Sequence, residues 1–156
     1  MFAAVCDGEK DPRVEPVDER SLAAGEVRVA VAYGGIGDSD LHYYHRGAVG
    51  DFAPRDPVTL GHEVPGTVLE VGDGVGRLEP DPKAALDPSR PCLLVRTFPA
   101  HDEFRLAVEC ILAGRIDVTP ILSGTYPLSQ AATALERAGD RSRVVKLHLA
   151  LADHPT

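Results

Sequence analysis

The sequence predicts a β-rich α+β fold in which the helices come late and stand apart from the strands. Three observations carry this reading. The run Glu26-Val27-Arg28-Val29-Ala30-Val31-Ala32-Tyr33 alternates with period two, as a half-buried strand does. The 15 Gly and 13 Pro among 156 residues mark frequent turns, which suit short strands better than a helical bundle. Past residue 100 the apolar period becomes helical, and a strand pattern returns only near the end. Helices segregated in this way separate α+β from an alternating parallel sheet.

Residues 2–6 read as a short apolar strand, with 14–17 as its partner beyond the Asp11-Pro12 turn. The 26–33 strand runs into Gly34-Gly35-Ile36-Gly37, a flexible break. Ser39 and Asp40 can cap the helical turn that follows. Residues 45–58 read as loop, with His45 and Arg46 solvated. Residues 64–71 predict a buried strand, closed by the turn Gly72-Asp73-Gly74. The stretch 79–92 is dominated by proline and polar residues; it holds at most a short strand near 83–86 and is the seam of the chain. Phe104, Ala107, Val108, Ile111 and Leu112 share one face of a helix over 102–113, stopped by Gly114. His101-Asp102-Glu103 places acidic residues at its N-terminal dipole and reads as a cap. A second helix over 129–138 ends at Gly139, and 144–149 is a closing strand in which His148 is an exposed position. Asp140-Arg141-Ser142-Arg143 reads as a solvent-facing turn. The chain is read as one domain over 1–156, with 1–92 as its N-terminal half and 97–150 as its C-terminal half.

Composition excludes several classes. A net charge of −8 argues against nucleic acid and anionic membranes, whose phosphates it would repel. No segment approaches the ~20 apolar residues that span a bilayer, and the start has no basic region ahead of an apolar run. A soluble cytoplasmic protein is expected. Cys6, Cys92 and Cys110 are odd in number and far apart, so they form neither a disulfide framework nor a cysteine zinc knuckle. Cys6 and Cys110 sit in apolar runs and read as core residues.

One constellation carries chemistry. Gly61-His62-Glu63-Val64-Pro65-Gly66-Thr67-Val68, followed by Val71-Gly72, puts a His-Glu pair at the mouth of a strand. Together with Gly34-Gly35-Ile36, Ser39-Asp40-Leu41-His42-Tyr43-Tyr44, Val49-Gly50-Asp51-Phe52 and Pro88-Ser89-Arg90-Pro91-Cys92, this run resembles the medium-chain zinc-dependent alcohol and polyol dehydrogenases of the L-idonate and sorbitol type. The tail over 97–149 resembles the segment with which that family returns to its catalytic domain. The resemblance implies a GroES-like β-barrel with short flanking helices. In that family a Rossmann domain lies between the two halves. Here only Leu93-Leu94-Val95-Arg96 separates them, whereas one βαβ unit takes about 30 residues. Gly72-Asp73-Gly74-Val75-Gly76 lacks the dinucleotide spacing. The resemblance therefore implies a catalytic domain with neither a Rossmann domain nor a structural-zinc lobe.

In the family a catalytic zinc is held by a Cys where this chain has Gly37, by the position of His62, and by a third ligand. Here only His62, Glu63 and Asp38 are on offer, and a catalytic zinc takes three protein ligands. The expectation is no cofactor: no NAD(P), and no metal unless those three hold one. The supporting residues survive. By resemblance Asp40 orients the imidazole, and Ser39 and His42 relay a proton. Without metal, Asp40 and His62 become a carboxylate–imidazole pair suited to general-base work. Catalytic roles are expected of His62, Asp40, Ser39, His42 and Glu63, and a substrate-lining role of Tyr43, Tyr44, Phe52 and Asp38.

Three readings follow. A truncated dehydrogenase-like protein would bind a small organic molecule and work by cofactor-independent acid–base catalysis as an isomerase, dehydratase or cyclase. A pseudo-enzyme would use the uncovered cleft as an interaction face, with homo-oligomerisation through it. A polyol dehydrogenase fragment would need a nucleotide domain in trans.

Overall fold

The computed structural model describes residues 1–76, 92–96 and 102–151. Its strands form three small sheets. β1 (Phe2–Cys6) pairs antiparallel with β2 (Pro12–Pro16) and with the two-residue β5 (Val58–Thr59), giving the order β2-β1-β5. β3 (Glu26–Val31) lies between β6 (Gly66–Val71) and β7 (Cys92–Arg96), both antiparallel to it. β9 (Lys146–Ala150) lies between β4 (Tyr33–Gly35), antiparallel, and β8 (Leu122–Pro127), parallel. The architecture is the expected sheet-rich α+β. Among the described residues the three ladders do not join into one closed barrel.

The single strand expected over 26–33 is two. The chain turns at Ala32, whose N–H goes to the Pro65 carbonyl while its own carbonyl accepts from Leu151. β3 and β4 therefore serve different sheets. Gly34-Gly35, expected as a flexible break, is edge strand, because β9 satisfies its backbone. β8 is an addition: Leu122-Ser123-Gly124-Thr125-Tyr126-Pro127 has no clear alternation, and β9 alone recruits it. The strand expected near 83–86 lies outside the described residues.

α1 (Asp38–Arg46) is longer than the single turn expected, and it absorbs His45 and Arg46. Its N-cap is Gly37, not Ser39 or Asp40. Asp40 instead sits at the third helical position and accepts the Gly37 N–H at 2.8 Å, which satisfies a donor the helix itself cannot. The helix stops at Gly47, which takes φ 63° and donates back to the Tyr43 carbonyl, a left-handed cap that costs a glycine little. His45 is half-buried against Gly139 rather than solvated.

α2 (Asp102–Leu112) and α3 (Ala131–Ala138) stand where the helical period placed them. The capping role expected of 101–103 lies outside the described side chains. α3 buries Ala131, Ala134, Leu135 and Ala138 against β2, β8 and β9, joining a core with Ile36, Leu41, Tyr44, Leu128, Leu147 and Leu149. β9 alternates, so Leu147 and Leu149 enter this core while Lys146 and His148 share the other face. His148 is half-buried there beside Tyr33, ring centroids 6.2 Å apart, rather than exposed. Cys6 is buried and donates its Sγ–H to the Gly8 carbonyl at 3.0 Å. Cys110, expected in the core, is only half-buried, because α2 lies off it.

Candidate active site

The site gathers where the start of α1, the 61–63 turn and the start of β9 converge. A cavity of about 390 Å³ opens there, lined by Asp38, Ser39, His62, Glu63, Arg141 and Lys146 over an apolar floor that includes Ile36 and Leu147. The floor belongs to the same strand and helix ends that build the core, so a rigid scaffold holds the polar groups.

Asp40 is the buried anchor, 4% exposed. One carboxylate oxygen accepts the Gly37 N–H and the other accepts the Gly61 N–H at 3.0 Å. It thus pins the helix start to the turn that carries His62. Its nearer oxygen stands 3.7 Å from His62 Nδ1, so the expected carboxylate–imidazole contact is an approach rather than a hydrogen bond. The His62 side chain is 62% exposed. Ser39 Oγ lies 3.4 Å from both ring nitrogens.

Two ion pairs bracket the imidazole. Lys146 Nζ bonds Glu63 and also donates to the Ile36 carbonyl at 2.9 Å. Arg141 bonds Asp38, and both line the cavity. The turn read as solvent-facing therefore contributes Arg141 to the site. Neither cation was among the expected site residues. Alternation in β9 could have flagged Lys146 as facing away from the core, but not what it meets 83 residues upstream.

The other expected residues are distributed elsewhere. His42 is half-buried on α1, one turn beyond Ser39, and does not line this cavity. Tyr43 lines a separate hollow of about 80 Å³ with Cys6 and Arg55. Tyr44 is buried, and its hydroxyl is committed to Glu136 on α3 at 2.7 Å. Burial, reinforced by this carboxylate, pushes its phenol up to about 12. Phe52 is 63% exposed, away from the cavity. Of the four expected substrate-lining residues, only Asp38 lines the His62 cavity. A second, apolar cavity of about 360 Å³ lies beyond Asp40, walled by core leucines, and His62 does not reach it.

Among the described residues, the donors around His62 fall short of the three protein ligands that a catalytic zinc takes. Gly37 offers no side chain, yet a Cβ there would lie 3.2 Å from His62 Cε1 and 2.9 Å from Glu63 Oε1, so the position does point into the site. Glu63 and Asp38 are engaged by Lys146 and Arg141. The imidazole is the one remaining ligand among the three on offer, and no group of three His, Cys, Asp or Glu suited to a metal occurs among the described residues. No helix among the described residues is long and apolar enough to cross a membrane.

Residues 23–126 match the family described as the alcohol dehydrogenase GroES-like domain. Sorbitol dehydrogenase of Gallus gallus is 46% identical over 90 residues, covering 58% of this chain and 25% of that protein. A probable D-xylulose reductase A of Aspergillus clavatus is 35% identical over 105 residues, covering 67% of this chain and 29% of that protein. The chain thus spans about a quarter of the length of the curated relatives it matches. Among solved structures, L-idonate 5-dehydrogenase of Escherichia coli superposes with a TM-score of 0.68 at 15% identity, covering 96% of this chain and 97% of that one. An Escherichia coli oxidoreductase of unknown specificity gives 0.77 at 12% identity, covering 97% and 99%. Both are likenesses of fold.

These relatives correct the expectation of a chain that works without cofactor. They are dehydrogenases and reductases by name, and no protein side chain takes up the hydride that such a reaction moves; a redox cofactor does. The chain belongs to the alcohol dehydrogenase GroES-like domain family.

Proposed function

We propose that this chain is the alcohol-handling unit of a polyol dehydrogenase or reductase, holding a small polyol in the His62 cavity and relaying its hydroxyl proton. The observation that carries the reading is the cavity itself, whose lining brings together Ser39, His62 and two ion pairs, Asp38–Arg141 and Glu63–Lys146. Paired charges of both signs suit a neutral polyhydroxylated ligand, because carboxylates accept from hydroxyls and cations donate to them without a net charge to balance. The identities to sorbitol dehydrogenase and D-xylulose reductase support the same class.

Oxidation of a carbinol splits into a hydride and a proton, and the residues of this site act on the proton. The substrate hydroxyl donates to Ser39 Oγ as the serine donates to a His62 ring nitrogen. The exposed imidazole then passes the proton to water. The 3.4 Å separation of Ser39 and His62 closes when a substrate oxygen orders the serine. Asp40 keeps the turn under His62 fixed and does not itself take the proton, since both its oxygens accept backbone N–H groups.

Titration of the purified chain with sorbitol and xylitol, followed by His62 and Ser39 resonances in NMR, tests this. Saturable shifts at both residues are expected, with the His62 shift lost in Ser39→Ala. Shifts confined to surface residues, or unaffected by that substitution, would remove the reading.

A further inference from the structure

The apolar cavity of about 360 Å³ takes no part in the proton relay. Val31 of β3, Leu135 of α3 and Leu149 of β9 line it, together with Ile36 and Leu128. Each of these five is less than a tenth exposed, and all but Val31 belong to the core around α3. This chain's own packing therefore holds these walls, and no further polypeptide is needed to shape them.

The charged groups that line the same cavity are either engaged or open to water. Both Asp40 oxygens accept backbone N–H groups. Arg20 lays both terminal nitrogens on the Glu26 carboxylate, at 2.8 and 2.6 Å. Arg28 donates to Glu70, to Glu19 and to the Arg20 carbonyl. The Met1 amino group donates to the Val17 carbonyl at 3.3 Å. Asp18 and Glu19 are exposed and keep their hydration. Among the described residues, every cation that lines the cavity is thus already committed, and a charged group entering it would lose water without gaining a partner.

We infer that this cavity is a second binding site, for an uncharged, hydrocarbon-rich molecule of fused-ring size. The volume sets the size. An apolar cavity of roughly 150 Å³ takes benzene, and this one offers over twice that space. Its volume also falls within the range of small-molecule pockets, roughly 300–1,000 Å³. The lining sets the chemistry. A hydrocarbon guest sheds its own hydration and packs against side chains whose positions the core has already fixed. The site shares Ile36 with the His62 cavity but does not include His62, so this inference and the polyol reading can fail separately.

Titration of the full chain with benzene, naphthalene and 2-naphthoate, followed by methyl resonances in NMR, tests it. Naphthalene should give saturable shifts at Val31, Leu135 and Leu149, with a dissociation constant below about 100 µM. Benzene should bind at least about fivefold more weakly, because it buries less apolar surface. 2-Naphthoate should bind at least about tenfold more weakly than naphthalene, because its carboxylate finds no open cation. Val64→Phe puts a ring at a half-buried lining position and should weaken naphthalene at least about tenfold, with circular dichroism confirming the fold. A parent with no saturable shift would overturn the inference. So would shifts confined to the exposed apolar side chains of residues 104–122, or 2-naphthoate binding as tightly as naphthalene. A folded Val64→Phe with the parent's affinity would overturn it too. The three-ligand series is read on the parent chain, so it decides the matter even where the variant does not fold.

Discussion

Lys146 and Glu63 lie 83 residues apart and form one ion pair, and the same ammonium holds the Ile36 carbonyl. The last strand is thereby stitched to the His62 turn and to the entry of α1. Glu63 itself is wedged beneath Gly35, where a Cβ would come within 2.8 Å of its carboxylate. Lys146→Met should lower stability by about 1–2 kcal/mol: one half-exposed pair at ~0.5–1, plus one backbone bond. Urea denaturation measures it. A loss indistinguishable from zero would show the pair to be ornamental.

Asp40→Asn should cost about 1–3 kcal/mol, because an amide has one acceptor oxygen for two backbone N–H groups and leaves the other unsatisfied. The same variant should broaden the His62 resonance, since the turn carrying it loses its tie to α1. Equilibrium unfolding and NMR line widths are the measurements.

Tyr44 predicts an alkaline transition. Its folded-state phenol is raised to about 12, from an ordinary value near 10. The folded state therefore holds the proton more tightly than the unfolded chain, and the stabilisation is complete below pH ~10. It is lost as pH climbs from there through about 12. Tyr44→Phe should flatten that decline while costing about 1 kcal/mol at neutral pH, a low figure because the exposed Glu136 is rehydrated. A parent and variant with identical alkaline profiles would contradict the assignment.

Gly37→Cys should raise zinc affinity at least about tenfold, since a Cβ at 37 points at His62 and a thiolate there adds a soft ligand to the imidazole. Glu63 must shift by a few tenths of an ångström to admit it. Cobalt substitution reads the result as a thiolate-to-metal absorption band that needs both the introduced thiolate and His62. Equal affinity in parent and variant would show that position 37 does not reach the site.

Much of the fold was legible. The alternation of 26–31 and the helical stripe of α2 marked these elements, because burial on one face writes its period into the chain, while the apolar run before Gly72 marked β6 and Gly139 marked the end of α3. β4, β5 and β8 were not legible: they are short or lack a clear period, and exist because a neighbour supplies their hydrogen bonds. At the site, motif order picked out His62, Ser39, Asp40, Glu63 and Asp38, which the structure does gather. Tyr44 and Phe52 share the same stretch, yet one turns into the core and the other to solvent.

By itself the sequence determined the family, the segregation of strands from helices and the imidazole-bearing turn, since each is recorded in local spacing. Only tertiary structure decided that Arg141 and Lys146 line the cavity, that Tyr44 is buried with its hydroxyl on Glu136, and that α2 leaves its apolar side chains exposed. Charge pairing and burial depend on which distant segments meet, and sequence separation does not encode that meeting.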